Sequence, residues 1–390
     1  MRILLASQVD ISHRSGAAIH QAAIARELAS LGHTVRVLGR GRLDGLTPEP
    51  VLETLGLGSP QLARWARRLP EVPPGHLLES KLAAEVLREV RRFSPDVAYV
   101  RLSPSSSLVP AALVAAGVPY AVELNGLILE HMRLAGRGAL KLAVASSSLS
   151  WVVGHAGAAV APSTAIAEHL SQQLGAARVV LIENGADVGP RAHTPRAEAR
   201  AILGLPAEAQ LVTMVGTLVP SLRLDLLLEA MRALPEATLV VVGDGAQRPR
   251  LEAELAHASA HGQATRLVVL GARPHEEAVL AARAADVCVN PHDSDLSLKG
   301  LEYAALGRRQ VCFEVPGLER LRALYTARQA VWTVGPREAS ALAAALREAL
   351  AAEAAQGPLP EPEVLAVRRE LTWSRTAERV AEVLASLARA

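Results

Sequence analysis

Short, almost wholly apolar runs alternate with longer stretches whose apolar residues recur at helical spacing, and this alternation constrains the fold more than any other feature of the chain. Arg2 to Ser7 and Thr34 to Leu38 read as strands on either side of a helix from Ala17 to Leu31. Val97 to Val100, a helix from Leu108 to Ala116, Tyr120 to Leu124, Ala158 to Ala161, a helix from Ala165 to Leu174 and Val179 to Ile182 continue the series. Runs of this kind bury both faces, and parallel strands joined by helices accommodate them most simply. The segment Gly189-Pro190-Arg191-Ala192-His193-Thr194-Pro195 interrupts the pattern, and a polar helix from Arg196 to Leu203 follows it. A second series then starts with strands at Gln210 to Val215, Thr238 to Val242, Arg266 to Leu270, Val287 to Asn290 and Gln310 to Phe313. With 390 residues, 50% of them hydrophobic, the chain can fill two such cores. The reading is therefore two Rossmann-like halves, with ligand sites in the loops after Ser7, Leu124, Val215, Val242 and Asn290, beyond the carboxyl ends of the strands.

Charge and cysteine usage narrow the function. The 41 Lys and Arg nearly balance the 39 Asp and Glu, so there is no global basic field and nucleic acid is not expected as the partner. Cys288 and Cys312 lie in apolar runs without Cys-x-x-Cys spacing, which suggests neither a zinc site nor a disulfide and fits a reducing, cytoplasmic setting. Gln8, Asp10, Ser12 and His13 follow the first apolar residues too soon for a signal-peptide core. The stretch from Leu142 to Ala167 carries no Asp, Glu, Lys or Arg, but its serines and glycines dilute it, so it reads as a buried helix followed by a strand rather than a membrane span. Leu62 to Leu69, with Arg64, Trp65, Arg67 and Arg68, reads as a solvated turn or as a segment resting on lipid headgroups, a peripheral contact at the inner face of a membrane.

Glycines mark the first candidate sites. Ser15-Gly16-Ala17-Ala18 opens a helix, where free backbone N–H groups suit an anion such as phosphate. Gly39-Arg40-Gly41 lacks the third glycine of a dinucleotide fingerprint, which argues against a nicotinamide dehydrogenase.

The ordered landmarks extend over nearly the whole chain: Arg2-Ile3-Leu4-Leu5 with Gly16, Leu31-Gly32-His33-Thr34-Val35, Pro95-Asp96-Val97, Gly117-Val118-Pro119, Ala161-Pro162-Ser163, Asn184-Gly185-Ala186-Asp187, Val242-Gly243-Asp244-Gly245, and Leu298-Lys299-Gly300-Leu301-Glu302-Tyr303-Ala304-Ala305-Leu306-Gly307. In this order the chain resembles the retaining glycosyltransferases of family 4. The resemblance implies an α/β GT-B fold, two Rossmann-like domains facing each other across a cleft, and a nucleoside diphosphate sugar as donor substrate with no cofactor and no metal. Residues 1–188 would bind the acceptor, a carbohydrate, lipid-linked or small molecule, and residues 189–368 the nucleotide sugar. Residues 369–390, with Leu371 to Arg375 leading into a helix, would return to the first domain as a strap.

The resemblance also assigns residues. Glu302 would accept the donor ribose hydroxyls, a task suited to a carboxylate. Backbone N–H groups at Leu298 and Lys299, with the Lys299 charge, would cradle the diphosphate, and Gly243 and Gly16 would line the donor. The first glutamate of the family's pair is replaced by Ser294, between Asp293 and Asp295, which places the chain with the subgroup that keeps only the second. The family's phosphate-binding Arg and Lys fall on Thr217 and Leu222, with Arg223 adjacent as a substitute. Where the family has His-Gly near the donor sugar, this chain has Asn125-Gly126, so Asn125 joins Glu302 as a catalytic candidate although it cannot act as a base. Asp10, His13, Asn125 and Gly126 are the acceptor-side candidates, with Arg101 and Glu130 behind them. The loss of the phosphate-binding pair leaves a second reading open, a non-catalytic relative that binds a sugar nucleotide as a partner or regulatory subunit. A third reading is a sugar-nucleotide epimerase.

Overall fold

The structure, a computed structural model, describes residues 1–10, 16–40, 74–104, 106–134, 136–186, 188–260, 266–293, 298–325 and 329–389. Two compact units divide the chain. The first comprises Met1–Gly185 with Trp373–Ala390, the second Ala186–Thr372.

In the first unit, strands β1 (Arg2–Asp10), β2 (Thr34–Arg40), β3 (Val97–Arg101), β4 (Tyr120–Glu123), β5 (Ala158–Ala161) and β6 (Val179–Leu181) form one sheet in the order β2-β1-β3-β4-β5-β6. Every pairing is parallel. The connecting helices are α1 (Gly16–Ser30), α2 (Pro74–Phe93), α3 (Leu108–Ala115), α4 (Ile128–Leu134), α5 (Ala139–His155) and α6 (Thr164–Glu168). Ser163 caps α6 by accepting the Ile166 N–H. The helix expected to run on to Leu174 instead opens at His169–Gln173 into a single π-helical turn.

The serine-diluted stretch folds as α5 followed by β5, but α5 is not buried as expected. Only Ala145, Leu149, Val152 and Val153 face the core, whereas Leu140, Val144 and Trp151 lie 78%, 57% and 40% exposed. A hydropathy profile cannot separate a helix with two apolar faces from an interior one, since only the core side counts as buried once packing is fixed.

The second unit holds β7 (Gln210–Val215), β8 (Ala237–Val242), β9 (Leu267–Gly271), β10 (Val287–Asn290), β11 (Arg309–Phe313) and β12 (Val331–Val334), in the order β12-β11-β10-β7-β8-β9 and again parallel throughout. Its helices are α7 (Arg196–Leu203), α8 (Leu224–Arg232), α9 (Arg248–Ala260), α10 (His275–Ala284), α11 (Leu298–Ala305), α12 (Leu318–Ala323), α13 (Ala339–Gln356) and α14 (Glu361–Glu370). All six residues of β8 are buried, and each buried Val or Leu contributes about 1.5–3 kcal/mol. Cys288 and Cys312 are buried free thiols, both pushed up to about 12 by burial, so neither is a reactive thiolate near neutral pH.

The closing helix α15 (Trp373–Ala388) packs with α1 of the first unit, where Thr376 donates to the Glu183 carbonyl at 2.9 Å. The proline-punctuated segment lies within the second unit, near its start, and forms a short 3-10 turn over Pro190–His193.

Candidate functional site

In the second unit the connections leave β7 in opposite directions, toward β8 and β9 on one side and toward β10, β11 and β12 on the other. A sheet of this topology offers a crevice outside its carboxyl edge between β7 and β10. The two loops that border it are tied together. Leu222 and His292 form an antiparallel bridge, the Arg223 N–H donates to the Pro291 carbonyl at 2.9 Å, and the Asp293 N–H donates to Ser221 at 3.2 Å.

The loop after β8 supports the loop after β7 from the other side. The Gly216 N–H donates to the Val242 carbonyl at 2.9 Å, and the Leu218 N–H to the Asp244 carbonyl at 3.0 Å. Gly243 stands at φ +143°, and a Cβ there would lie 1.8 Å from the Gly216 oxygen; at Gly245, φ +152°, it would meet the Leu218 oxygen at 2.8 Å. Only glycine lets these backbones approach so closely. Gln247, which sequence reasoning passed over, is buried and donates its side-chain amide to the Val219 and Leu222 carbonyls, so it clamps the β7 loop from below.

Helix α11 is held at the same edge. The Tyr303 hydroxyl accepts the Val215 N–H at 2.9 Å, at the last residue of β7, and Gln310 donates to the Gly300 carbonyl at 3.0 Å. Tyr303 is therefore a second residue that the sequence motif carried without revealing its task. One turn into α11, Glu302 is only 4% exposed and receives the Lys299 ammonium. The carboxylate proposed for ribose and the cation proposed for phosphate thus form one partly buried pair.

The positions at which the resemblance implied phosphate-binding cations are equally definite. Thr217 is exposed, Leu222 is 1% exposed, and Arg223 is engaged by Asp225 through Nε at 3.1 Å and Nη2 at 2.9 Å. Thr217, Arg223, Gly243, Leu298, Lys299 and Glu302 all sit on or next to loops of the second unit's carboxyl edge.

In the first unit, Gly16 is the exposed first residue of α1, and Asn125 and Gly126 follow directly after β4. Behind Asn125 lies a buried polar cluster. Arg101 and Glu123 are register partners at the carboxyl ends of β3 and β4, with Arg101 Nη1 3.8 Å from Glu123 Oε2. His20, from α1, has Nδ1 2.8 Å from Arg101 Nη1 and Nε2 3.0 Å from Glu123 Oε1. The Trp373 ring closes the cluster, its centroid 5.0 Å from that of His20 in a T-shaped arrangement. Burial pushes the Glu123 carboxyl up, but contact with His20, the Arg101 charge and the Asn125 amide more than offset it and hold the group below the usual range. Asp10 ends β1, but its side chain lies outside the described residues, as do His13 and Ser294. The arginine-rich segment Leu62 to Leu69 also lies outside them. Among the described residues, no group of His, Cys, Asp or Glu is arranged to hold a metal ion.

Two Rossmann-like units in one chain make the α/β architecture of the GT-B glycosyltransferases. Residues 14–189 match the description Glycosyltransferase Family 4, and residues 209–352 match Glycosyl transferases group 1; the chain is related to these enzymes. It is 34% identical over 168 residues to a D-inositol 3-phosphate glycosyltransferase of Segniliparus rotundus, covering 41% of this chain and 37% of that protein. A protein of the same description from Thermobispora bispora is 29% identical over 315 residues, 76% of this chain and 73% of its own length. The chain thus spans little more than a third of the first of these relatives. Among solved structures, sucrose-phosphate synthase from Thermosynechococcus elongatus superposes with a TM-score of 0.79 at 20% identity, covering 99% of both chains. Anabaena HepE in complex with UDP-glucose gives 0.72 at 19% identity, covering 99% of this chain and 100% of that one. At these identities the likeness is one of fold.

Proposed function

We propose that the protein transfers a glycosyl unit from a nucleoside diphosphate sugar to an acceptor hydroxyl with retention of configuration. The second unit holds the nucleotide, and the first holds a carbohydrate, lipid-linked or small-molecule acceptor. The observation that carries this reading is the carboxyl edge between β7 and β10, whose bordering loops are tied together and whose neighbouring helix α11, fastened to β7 through Tyr303, carries the Lys299–Glu302 pair. Departure of the diphosphate leaves negative charge, which backbone N–H groups at the start of α11 and Lys299 are suited to stabilise. A ribose competes for Glu302 by offering two hydroxyl donors, which frees Lys299 for phosphate. UDP-glucose in HepE, and ADP with acarbose in starch synthase IV of Arabidopsis thaliana, are ligands of proteins with this fold.

The setting proposed is cytoplasmic, with peripheral contact at the inner face of a membrane. Among the described residues no helix is long and apolar enough to cross a membrane. The exposed Leu140, Val144 and Trp151, together with exposed Arg137 and Lys141, support a surface contact with anionic lipid.

One observation favours the second reading, a sugar-nucleotide-binding relative without catalysis: the buried Leu222 and the paired Arg223 supply no free cation where the family places two. A thermal-shift screen against nucleoside diphosphates and their sugars tests binding, because a ligand at a hundredfold excess over its Kd stabilises by about 2.7 kcal/mol. Glu302→Ala should abolish the shift of the best hit, and an unchanged shift means that the donor site is elsewhere. Saturable binding without turnover across donors and acceptors supports the non-catalytic reading, whereas product formed without any acceptor supports an epimerase.

A further inference from the structure

Every carbonyl from Ala304 to Gly307, at the rear of α11, is held by a side chain. Gly307, at φ +65°, ends the helix in a Schellman turn: the Arg308 N–H donates to the Tyr303 carbonyl at 2.9 Å and the Gly307 N–H to the Ala304 carbonyl at 2.8 Å. The Tyr325 hydroxyl donates to Ala304 as well. That turn leaves the next three carbonyls open, as helix ends do. Arg368 Nε donates to Ala305 at 2.6 Å, Arg283 Nη1 to Leu306 at 3.1 Å and Arg308 Nε to Gly307 at 3.1 Å.

One cation is enough to complement a helix end, so three go beyond capping. Their other donors are also spent on backbone, Arg283 on Thr194, Arg308 on Ala285 and Arg368 on Ala192, with the His193 ring beside Arg368. Neighbouring carboxylates are engaged by other arginines, Asp286 by Arg196 and Arg200, Glu353 by Arg196 and Arg309. Burial pushes all three guanidiniums down, and repulsion adds to it: Arg368 and Arg196 depress Arg283, while Arg283 and Arg196 help to bring Arg308 to about 10. The three still carry their charge near neutral pH. A collar of positive charge, held by carbonyls instead of carboxylates, therefore sits at one end of a helix of eight residues.

We propose that Arg283, Arg308 and Arg368 are positioning residues for the donor diphosphate, and that their charge acts on it through α11. At 1.5 Å per residue the ends of this eight-residue helix are only roughly 12 Å apart. The partial negative charge of its carbonyl end then opposes what its N–H end offers an anion. Guanidiniums seated on those carbonyls cancel the opposing pole and add positive charge of their own. At the front of the helix Lys299 is matched by Glu302, so the pair sums to neutral. Thr217 and Leu222 supply no cation either, and the collar replaces them from behind without touching the ligand. The proposal rests on the reading that places the diphosphate at the start of α11.

Arg308 is only 4% exposed and too deeply set to remove safely, so the half-buried Arg283 and Arg368 carry the test. Arg368→Gln keeps an amide donor and removes the charge, whereas Arg368→Lys keeps the charge and removes the planar fork. Calorimetry on the full chain compares UDP, ADP and GDP with their monophosphates. At an effective dielectric constant of about 20, a charge acting over roughly 12 Å on a unit charge changes affinity about tenfold. Arg368→Gln should therefore weaken binding of the diphosphate by roughly tenfold and of its monophosphate by less, and adding Arg283→Gln should bring the loss to roughly a hundredfold. Arg368→Lys should stay within about twofold of the wild type. A helix that is merely loosened gives a different pattern: the Lys variant loses as much as the Gln variant, and monophosphate and diphosphate lose alike. Either of those results overturns the proposal. A wild type that binds none of the three diphosphates refutes the donor-site reading beneath it, whereas a diphosphate bound equally well by the wild type and both Gln variants overturns the collar alone.

Discussion

Replacing Gly243 by alanine puts a methyl group where the backbone of the neighbouring loop already stands. The new Cβ would lie 1.8 Å from the Gly216 oxygen at φ +143°, whereas carbon in van der Waals contact sits about 3.5–4 Å from its neighbour. The β7 and β8 loops would have to part by more than an ångström, loosening the Gly216–Val242 and Leu218–Asp244 hydrogen bonds. Strain at a φ that L-residues rarely adopt costs about 1–3 kcal/mol. With the displaced loops, the expected loss is about 3–5 kcal/mol, at the upper end of single-substitution effects. For a unit of this size that corresponds to a fall in Tm of roughly 6–20 °C. Differential scanning calorimetry should show the loss in the transition of the second unit. The donor-induced thermal shift should disappear as well, because the parted loops border the β7/β10 crevice. A Gly243→Ala protein that melts within about 1 °C of the wild type would show that the two backbones are not in the close contact described, and the account of the crevice would fail with it.

Three further variants test other parts of the molecule. Glu79 caps α3 by accepting the Leu108 N–H at 3.0 Å, and burial pushes its carboxyl up to about 7. The folded state thus holds a proton that the unfolded chain releases above about 4.5, and stability is lost as pH rises from there through 7; Glu79→Gln keeps an accepting oxygen and should stabilise by ~1–2 kcal/mol at pH 8 but not at pH 4, which thermal melts at the two pH values will check. Glu353 joins the fully buried Arg309 and the Arg196 guanidinium, so Glu353→Ala should leave buried charge unpaired and cost about 3–5 kcal/mol in urea unfolding. On α5, Leu140→Ser with Val144→Ser should shift stability by no more than ~0.5 kcal/mol, since neither side chain meets the core, while lowering retention on anionic vesicles in a sedimentation assay.

The two parallel sheets were legible because the requirement that both faces of a central strand be apolar writes itself into consecutive residues, as in Thr238 to Val242 and Tyr120 to Leu124. The side on which a helix is covered is not written that way, and α5 showed it: Leu140 and Leu149 look alike in sequence and part company only when a sheet lies against one of them. At the candidate site, the loops were predictable from the carboxyl-edge rule, and Gly243 from its place in a motif. The tie between Leu222 and His292 and the clamp by Gln247 join residues far apart in the chain, with no local periodicity to announce them. The same holds for His20, Arg101 and Glu123, drawn from a helix and two strands; a glutamate and an arginine interrupting otherwise apolar strand ends were the one available signal.

Because α15 completes the first unit from the far end of the chain, the second unit is in effect an insertion into the first. A ribosome therefore finishes every residue of the inserted unit before it supplies Trp373, the side chain that covers His20. The earlier-made unit has to wait, with α1 uncovered along the face that α15 will occupy, until the later-made one has already been synthesised.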